Sequence, residues 1–168
     1  NAFQYTDGRN IDARIEQDGT KNEAKQLLDG NRVDADVEQD GYRNYAFQYI
    51  DGYSIDGRVE QDGSRNRAGQ ILLGEGVDAG IEQDGRGNSA FQGFIGTDAC
   101  GCGIDAQIDQ KGKYNNAVQL GLGQDLMAKV SQKGWGNESF QLQLGQNHNS
   151  VVNQHGAGHS SVVTQIGL

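Results

Sequence analysis

Side chains that can form directional hydrogen bonds recur in this chain at a constant spacing. Residues 17–26 read QDGTKNEAKQ, and this frame returns every 22 residues, with one interval of 27 and a degenerate last copy at Gln154. Stacked carboxamides can bond to one another, so the pattern favours a repetitive hydrogen-bonded core over a single reactive pocket. The expected core ladder consists of Gln17, Gln39, Gln61, Gln83, Gln110, Gln132, Asn22, Asn44, Asn66, Asn88, Asn115, Asn137, Gln26, Gln48, Gln70, Gln92, Gln119 and Gln141.

Carboxylates form further columns at the same spacing, of which one is Asp12, Asp34, Asp56 and Asp78. Ca²⁺ prefers such hard oxygen ligands, so weak divalent-cation binding along this column is one interpretation. The other is a solvated acidic face that keeps the monomer soluble and discourages premature assembly, because like charges repel. No resident cofactor is expected in either case.

Cys100 and Cys102 lie in the only insertion of the pattern, residues 97–103. A flexible loop with reactive or intramolecularly paired thiols and an inter-filament disulfide both remain open. A metal site is less favoured, because no nearby His completes a ligand set. The chain has no Walker loop, dinucleotide fingerprint or nucleophile elbow, and repetitive columns do not make an asymmetric catalytic pocket. We therefore do not expect an enzyme.

The composition alone is close to that of a disordered acidic chain, with 26 Gly, no Pro and a net charge of −9. The repeat argues against disorder, since several residue types hold register along the whole sequence. The acidic balance argues against nucleic-acid binding. No run of about 20 apolar residues is present, so no membrane span is expected.

Each repeat contains two strand patterns, which we call the first arm (residues 11–17 in the first repeat) and the second arm (residues 22–28). Apolar side chains alternate with polar ones, which is the period of a strand and not of a helix. A glycine turn follows each first arm, where glycine adopts a positive φ without strain. These turn glycines are Gly19, Gly41, Gly63, Gly85, Gly112, Gly134 and Gly156.

Repeats of constant length stack when each is one turn of a coil. The sequence thus predicts an all-β fold, a β-solenoid of cross-β arches, with about seven 22-residue two-strand rungs and two parallel sheets that face each other. The whole chain, 1–168, forms a single domain. It begins with a half rung at 1–7, and its rungs start near residues 8, 30, 52, 74, 101, 123 and 145.

A buried amide without a partner costs about 1–3 kcal/mol, and a ladder removes this cost only while the stack continues. The outermost rungs lack one neighbour, so we expect open sheet edges that template another copy. Residues 1–109 contain 21 acidic and 10 basic side chains, whereas residues 110–168 contain two acidic and four basic ones. This asymmetry favours head-to-tail growth.

The outward positions of the second arms are rich in aromatic residues, and such an exposed stripe commonly marks an interface. This stripe either packs against a second filament or adheres to surfaces. The alternative is that a loop or the twist of the sheet covers part of the stripe. This lateral apolar face comprises Phe3, Tyr5, Tyr45, Phe47, Tyr49, Phe91 and Phe140.

The frame of Gln17, Gly19, Asn22 and Ala24 resembles the curlin repeat of curli-type bacterial functional amyloid, although Gln26 follows Ala24 more closely than in that family. This distant resemblance implies that the chain is a self-assembling subunit of an extracellular fibre on the cell surface of a bacterium. It implies that the fibre functions in biofilm matrix and adhesion. It also implies a nucleator and an outer-membrane secretion pore as partners. The alternative is a monomeric secreted β-solenoid that acts as an adhesin or a cation-binding module.

Overall fold

The structure is a computed structural model that describes residues 1–97 and 103–167. These residues are almost entirely β-strand and include no helix, and every pair of neighbouring strands is parallel. The strands are β1 (Ala2–Gln17), β2 (Glu23–Tyr42), β3 (Tyr45–Ser64), β4 (Arg67–Arg86), β5 (Ser89–Thr97), β6 (Ile104–Lys113), β7 (Asn116–Trp135), β8 (Glu138–Ala157) and β9 (Ser160–Ile166).

Equivalent residues of successive repeats pair directly, so the predicted β-solenoid is confirmed. Ala24 pairs with Ala46, and Ala46 with Ala68, in an unshifted parallel register. Such a register results from the constant period, because a one-residue slip would turn every inward side chain outward.

The insertion splits one rung into two strands without disturbing the stack. β5 and β6 both pair with β4 on one side and with β7 on the other. The rung therefore keeps both arms. Cys100 and Cys102 fall outside the described residues.

The strands are longer than the two-arm pattern predicts, because pairing continues around one of the two bends in each rung. β2 runs from a second arm through Gly30 into the next first arm, and Gly30 remains paired with Gly52. The ladder hydrogen bonds run along the solenoid axis, so a bend in the rung does not break them.

Glycine is required at both bends, and it recurs every 11 residues there except across the insertion. At the predicted turn, Gly63 has a φ of 103°, and a Cβ on it would lie 2.2 Å from the carbonyl oxygen of Gly85 in the next rung. At the other bend, Gly30 has a φ of 131° and the same close approach to Gly52. A second positive φ follows two residues later, at Arg65 for example, and the sequence pattern did not reveal it.

The core is a thin layer between the two sheets, and its apolar side chains form two columns of contacts. One column contains Leu28 and Val33 near one bend, and the other contains Ala24 and Val37 near the middle of the arms. These side chains are buried together with the predicted glutamines and asparagines. Because the layer is thin, each inward side chain packs chiefly on its equivalents above and below.

Replacing Gly63 with alanine should destabilise the fold by about 1–3 kcal/mol or more, because alanine strains the left-handed backbone and its Cβ meets the next rung. Gly80→Ala is the matched control, since a Cβ at Gly80 meets no atom of the described residues within 4 Å. Urea unfolding followed by circular dichroism measures both variants. Equal unfolding midpoints for the two variants would contradict the proposed role of the glycine bends.

Candidate assembly surfaces

The glutamines of the first arms form one continuous hydrogen-bonded ladder through the core. Gln39 Nε2 donates to Gln61 Oε1 at 2.6 Å, and Gln61 Nε2 donates to Gln83 Oε1 at 2.7 Å. Gln61 Nε2 also donates to the carbonyl of Tyr45 on the facing arm at 3.1 Å. The column extends to a further member, Gln154, which accepts from Gln132 at 2.7 Å.

The glutamines of the second arms form a parallel ladder that is completely buried. Gln48 Nε2 donates to Gln70 Oε1 at 2.8 Å, and Gln70 Nε2 donates to Gln92 Oε1 at 2.9 Å. The second amide hydrogen of Gln48 is used by Gly57 O at 2.8 Å, on the facing arm. All these bonds point the same way along the axis, with each donor on the earlier rung.

The asparagines use a different arrangement, and the expected ladder of identical amides is wrong for Asn22, Asn44 and Asn66. Asn44 Oδ1 accepts from the backbone N–H of Asn66 at 3.0 Å, while its Nδ2 donates to Asp40 O at 2.7 Å. The shorter side chain lies beside the turn, so it reaches turn carbonyls instead of the next amide. Only Asn115 and Asn137 also donate to an asparagine side chain, at 3.3 and 3.1 Å.

A third glutamine ladder was not predicted. Gln143 Nε2 donates to Gln165 Oε1 at 2.9 Å, at a position that is apolar in earlier rungs, such as Leu72 and Phe94. The second-arm ladder ends in the rung that contains Gln143. There Gln141 donates to Ser150 Oγ, and the next residue in its column is Val163. The sequence does contain this signal, because the last residues of both columns differ from the residue type that is most common in the column.

The edges of the described sheet are β1 on one side and β9, with the second half of β8, on the other. Phe3 and Tyr5 are each 54% exposed on β1, and Val162 and Ile166 are about 70% exposed on β9. The buried Oε1 of Gln26 has no hydrogen-bond partner among the described residues, but it lies beneath β1, where Gln4 pairs with Gln26, and not at the edge. The two edges themselves present the backbone groups of their outer strands together with these apolar side chains.

The acidic column of Asp12, Asp34, Asp56 and Asp78 lies on the outer face of the first arms, with one carboxylate per rung. Burial raises the pKa of the Asp56 carboxyl, and the neighbouring Asp78 and Asp34 raise it further. Burial and Asp105 raise the pKa of Asp78 in the same way. Within residues 1–97 and 103–167 no group of three or more His, Cys, Asp or Glu side chains is placed to hold a metal ion.

The residues of the predicted lateral face all lie on the outer side of the second arms. Tyr45, Phe47, Phe91 and Phe140 are half-buried, because neighbours in their own columns cover them, whereas Tyr49 is exposed like Phe3 and Tyr5. The face continues into an open groove of about 330 Å³ that sequence reasoning missed. The additional lining residues are Leu73, Ile95, Leu122 and Leu144, in the column that begins with Asp7, Asp29 and Asp51.

The ladder predicts that Gln70→Leu destabilises the fold by about 1–3 kcal/mol, because leucine removes the side-chain acceptor of Gln48 Nε2 and leaves Gln92 Oε1 without its donor in the core. Gln107→Leu is the matched control, since Gln107 lies on the solvent side of a first arm. The urea midpoints of the two variants give the difference. A Gln70→Leu variant as stable as Gln107→Leu would show that the ladder does not stabilise the core.

Asp56→Asn and Asp78→Asn should stabilise the fold at neutral pH and reduce its pH dependence. A raised pKa means that the folded state binds the proton more tightly, so stability is greatest at low pH and is lost as the pH rises through that pKa. The exposed Asp125→Asn makes the same charge change without a carboxylate neighbour in its column and should have little effect. Unfolding midpoints between pH 3.5 and 7 test this, and equal pH slopes for all the variants would contradict it.

Comparison of the chain with protein-family models, with curated proteins and with solved structures gives no match. Among the described residues no helix is long and apolar enough to cross a membrane. The function is therefore inferred from the ladders, the sheet edges and the outer faces.

Proposed function

We propose that this chain is a structural, self-assembling subunit that stacks end to end into an extracellular amyloid-type fibre. The observation that carries this proposal is the one-directional first-arm glutamine ladder, whose column runs from Gln17 on the β1 edge to Gln154 on the last rung. A ladder of this kind has a donor side and an acceptor side. A second copy of the chain supplies the group that each end of this ladder lacks.

The register of the solenoid supports stacking of identical copies. Many inward positions pair a residue with one of the same size and chemistry in the next rung, for example Val37 with Val59 and Gln39 with Gln61. A rung therefore accepts another rung of the same design as readily as it accepts its neighbour within the chain. Parallel in-register pairing of this type builds cross-β fibres, with strands about 4.8 Å apart.

The direction of the ladders and the charge both favour head-to-tail addition. The first-arm column begins with Gln17 on β1 and ends with Gln154 on the last rung, and its amides donate toward the later rung from Gln39 onward. Acidic side chains are concentrated in residues 1–109, whereas basic ones outnumber them in residues 110–168. Two β1 edges would bring acidic rungs together, while a β9 edge meeting a β1 edge avoids this repulsion.

The resemblance of the repeat to curlin supports the remaining parts of the proposal. It places the fibre at the surface of a bacterium, in biofilm matrix and adhesion, with a nucleator and a secretion pore as partners. The exposed aromatic face gives such a fibre a surface for adhesion. The acidic face keeps the unassembled chain soluble.

Thr164→Pro should slow fibre elongation about tenfold or more while leaving the rungs folded. The Gly167 N–H donates to Leu144 O, and His159 O accepts from the N–H of Glu138. The odd-numbered residues of β9 therefore form the hydrogen bonds to β8. The backbone N–H of Thr164 points away from β8, toward the open edge. Proline removes that outward donor and stops regular pairing at the edge, a loss of roughly 1.4 kcal/mol or more. Thr164→Ala keeps the donor and is the control.

The measurement is the growth rate of wild-type seeds with each soluble variant, followed by thioflavin T fluorescence and electron microscopy. Circular dichroism checks that both variants contain the same amount of β-structure. Equal elongation by both variants would contradict edge stacking. A wild-type chain that stays monomeric at high concentration would favour the monomeric adhesin or cation-binding module instead.

A further inference from the structure

The backbone of the solenoid repeats every 11 residues, which is half of the sequence repeat. Glycines with a positive φ recur at this spacing from Gly8 to Gly85 and from Gly112 to Gly156, and a second positive φ lies two residues after each of them. The first arms and the second arms therefore have equivalent backbones, although their inward side chains differ. A half turn about the solenoid axis brings one kind of arm onto the other.

The two kinds of arm alternate along the axis instead of lying at one level. Gln48 Nε2, on a second arm, donates to Asp36 O at 3.2 Å and to Gly57 O at 2.8 Å, which lie on two successive first arms. Gln119 bonds to two successive first arms in the same way. Each second arm therefore lies between two first arms, at about half of the 4.8 Å rung spacing from each.

The last two arms that the structure describes have the same inward residue types, although one is a first arm and the other a second arm. The inward residues are His148, Ser150, Val152 and Gln154 in β8, and His159, Ser161, Val163 and Gln165 in β9. Every earlier second arm has glutamine where β9 has Val163. The strand β9 therefore has the core side chains of a first arm.

These two arms line an open groove of about 590 Å³, in which Val152 and Val163 are accessible. Because the arms alternate, the next position along the axis lies over the first arm 148–154 and not over β9. A second copy stacked without rotation would place its residues 2–7 over β9 and leave this position empty. Its first arm 11–17 would then lie about 10 Å from 148–154, which is too far for hydrogen bonds between their backbones.

We propose that successive copies are related by a half turn about the fibre axis, an inference that rests on the fibre proposed above. Residues 2–7 of β1 then pair with residues 148–154 of β8, and residues 11–17 of β1 pair with β9. The alternation of arms continues from one copy into the next, and no position is left empty. Gly8 lies against Gly156, so the bends of two copies approach as closely as the bends within one chain.

The side chains that come into contact also favour the half turn. It places Ala13, Ile15 and Gln17 on Ser161, Val163 and Gln165 of β9, in that order. Gln165 thereby meets a carboxamide, as it does at Gln143 on its other side. On the other sheet Gln154 lies against Thr6, whose hydroxyl accepts a hydrogen bond from its amide. Without rotation Gln154 would meet no residue of the second copy, whereas Gln4 meets a valine in either arrangement.

Cysteine pairs in fibres of the full chain test this joint, in a background without the two native cysteines. Val162→Cys with Arg14→Cys places two outward side chains on adjacent strands after a half turn, and Val151→Cys with Phe3→Cys does so on the other sheet. Both pairs should give covalent dimers and longer multimers on a denaturing gel after mild oxidation, since neighbouring strands lie within disulfide reach. Val162→Cys with Phe3→Cys is the matched control, which is adjacent only without rotation and should stay monomeric.

Cryo-electron microscopy of wild-type fibres gives a second readout that needs no variant. The half turn predicts a rise of about 36 Å per subunit, against about 38 Å for copies stacked without rotation. Multimers from the control pair, a rise of about 38 Å, or fibres in which none of the three pairs links would overturn the half turn and leave the fibre itself intact. A wild-type chain that forms no fibres would instead contradict the proposed function, and the joint with it.

Discussion

The fold depends on the in-register stacking of identical residues, and the buried glutamine ladders are where this constraint is most severe. Gln48, Gln70 and Gln92 are fully buried, and each obtains its hydrogen bonds from the rung above, the rung below and the facing arm. A shift in register would leave these amides unpaired in an apolar layer. The first-arm ladder has the same need at its last member, Gln154, and this is the basis of the proposed addition of a further chain.

Close stacking also explains the glycine bends and the division of the surface. A Cβ at a bend glycine such as Gly63 would meet the carbonyl of the next rung, so the bends cannot vary while the rungs remain about 4.8 Å apart. The outward positions carry no such restriction. They change along the axis from acidic to basic or from acidic to apolar, as the column from Asp29 to Leu144 does. Inward positions thus determine the stacking of the rungs, whereas outward positions vary along the axis.

The sequence was sufficient to predict the solenoid, because a fixed period with alternating apolar residues allows few other folds. It predicted the glutamine columns for the same reason. It failed for Asn44, whose short side chain bonds to turn carbonyls, since the reach of a side chain at a bend depends on backbone geometry that the period does not specify. It also missed the Gln143–Gln165 ladder and the groove beside Leu122, because both are departures from the consensus of their columns.

The most direct test of the account is the mass per unit length of fibres grown from the purified chain, measured by scanning transmission electron microscopy. The chain has a mass of 18.1 kDa and 168 residues, and each rung holds 22 of them except the one with the insertion. With one rung for about every 4.8 Å, the account predicts about 0.5 kDa per Å for a single filament, and twice that value for a pair. A mass per length that is not a whole-number multiple of this value would contradict end-to-end stacking of the rungs.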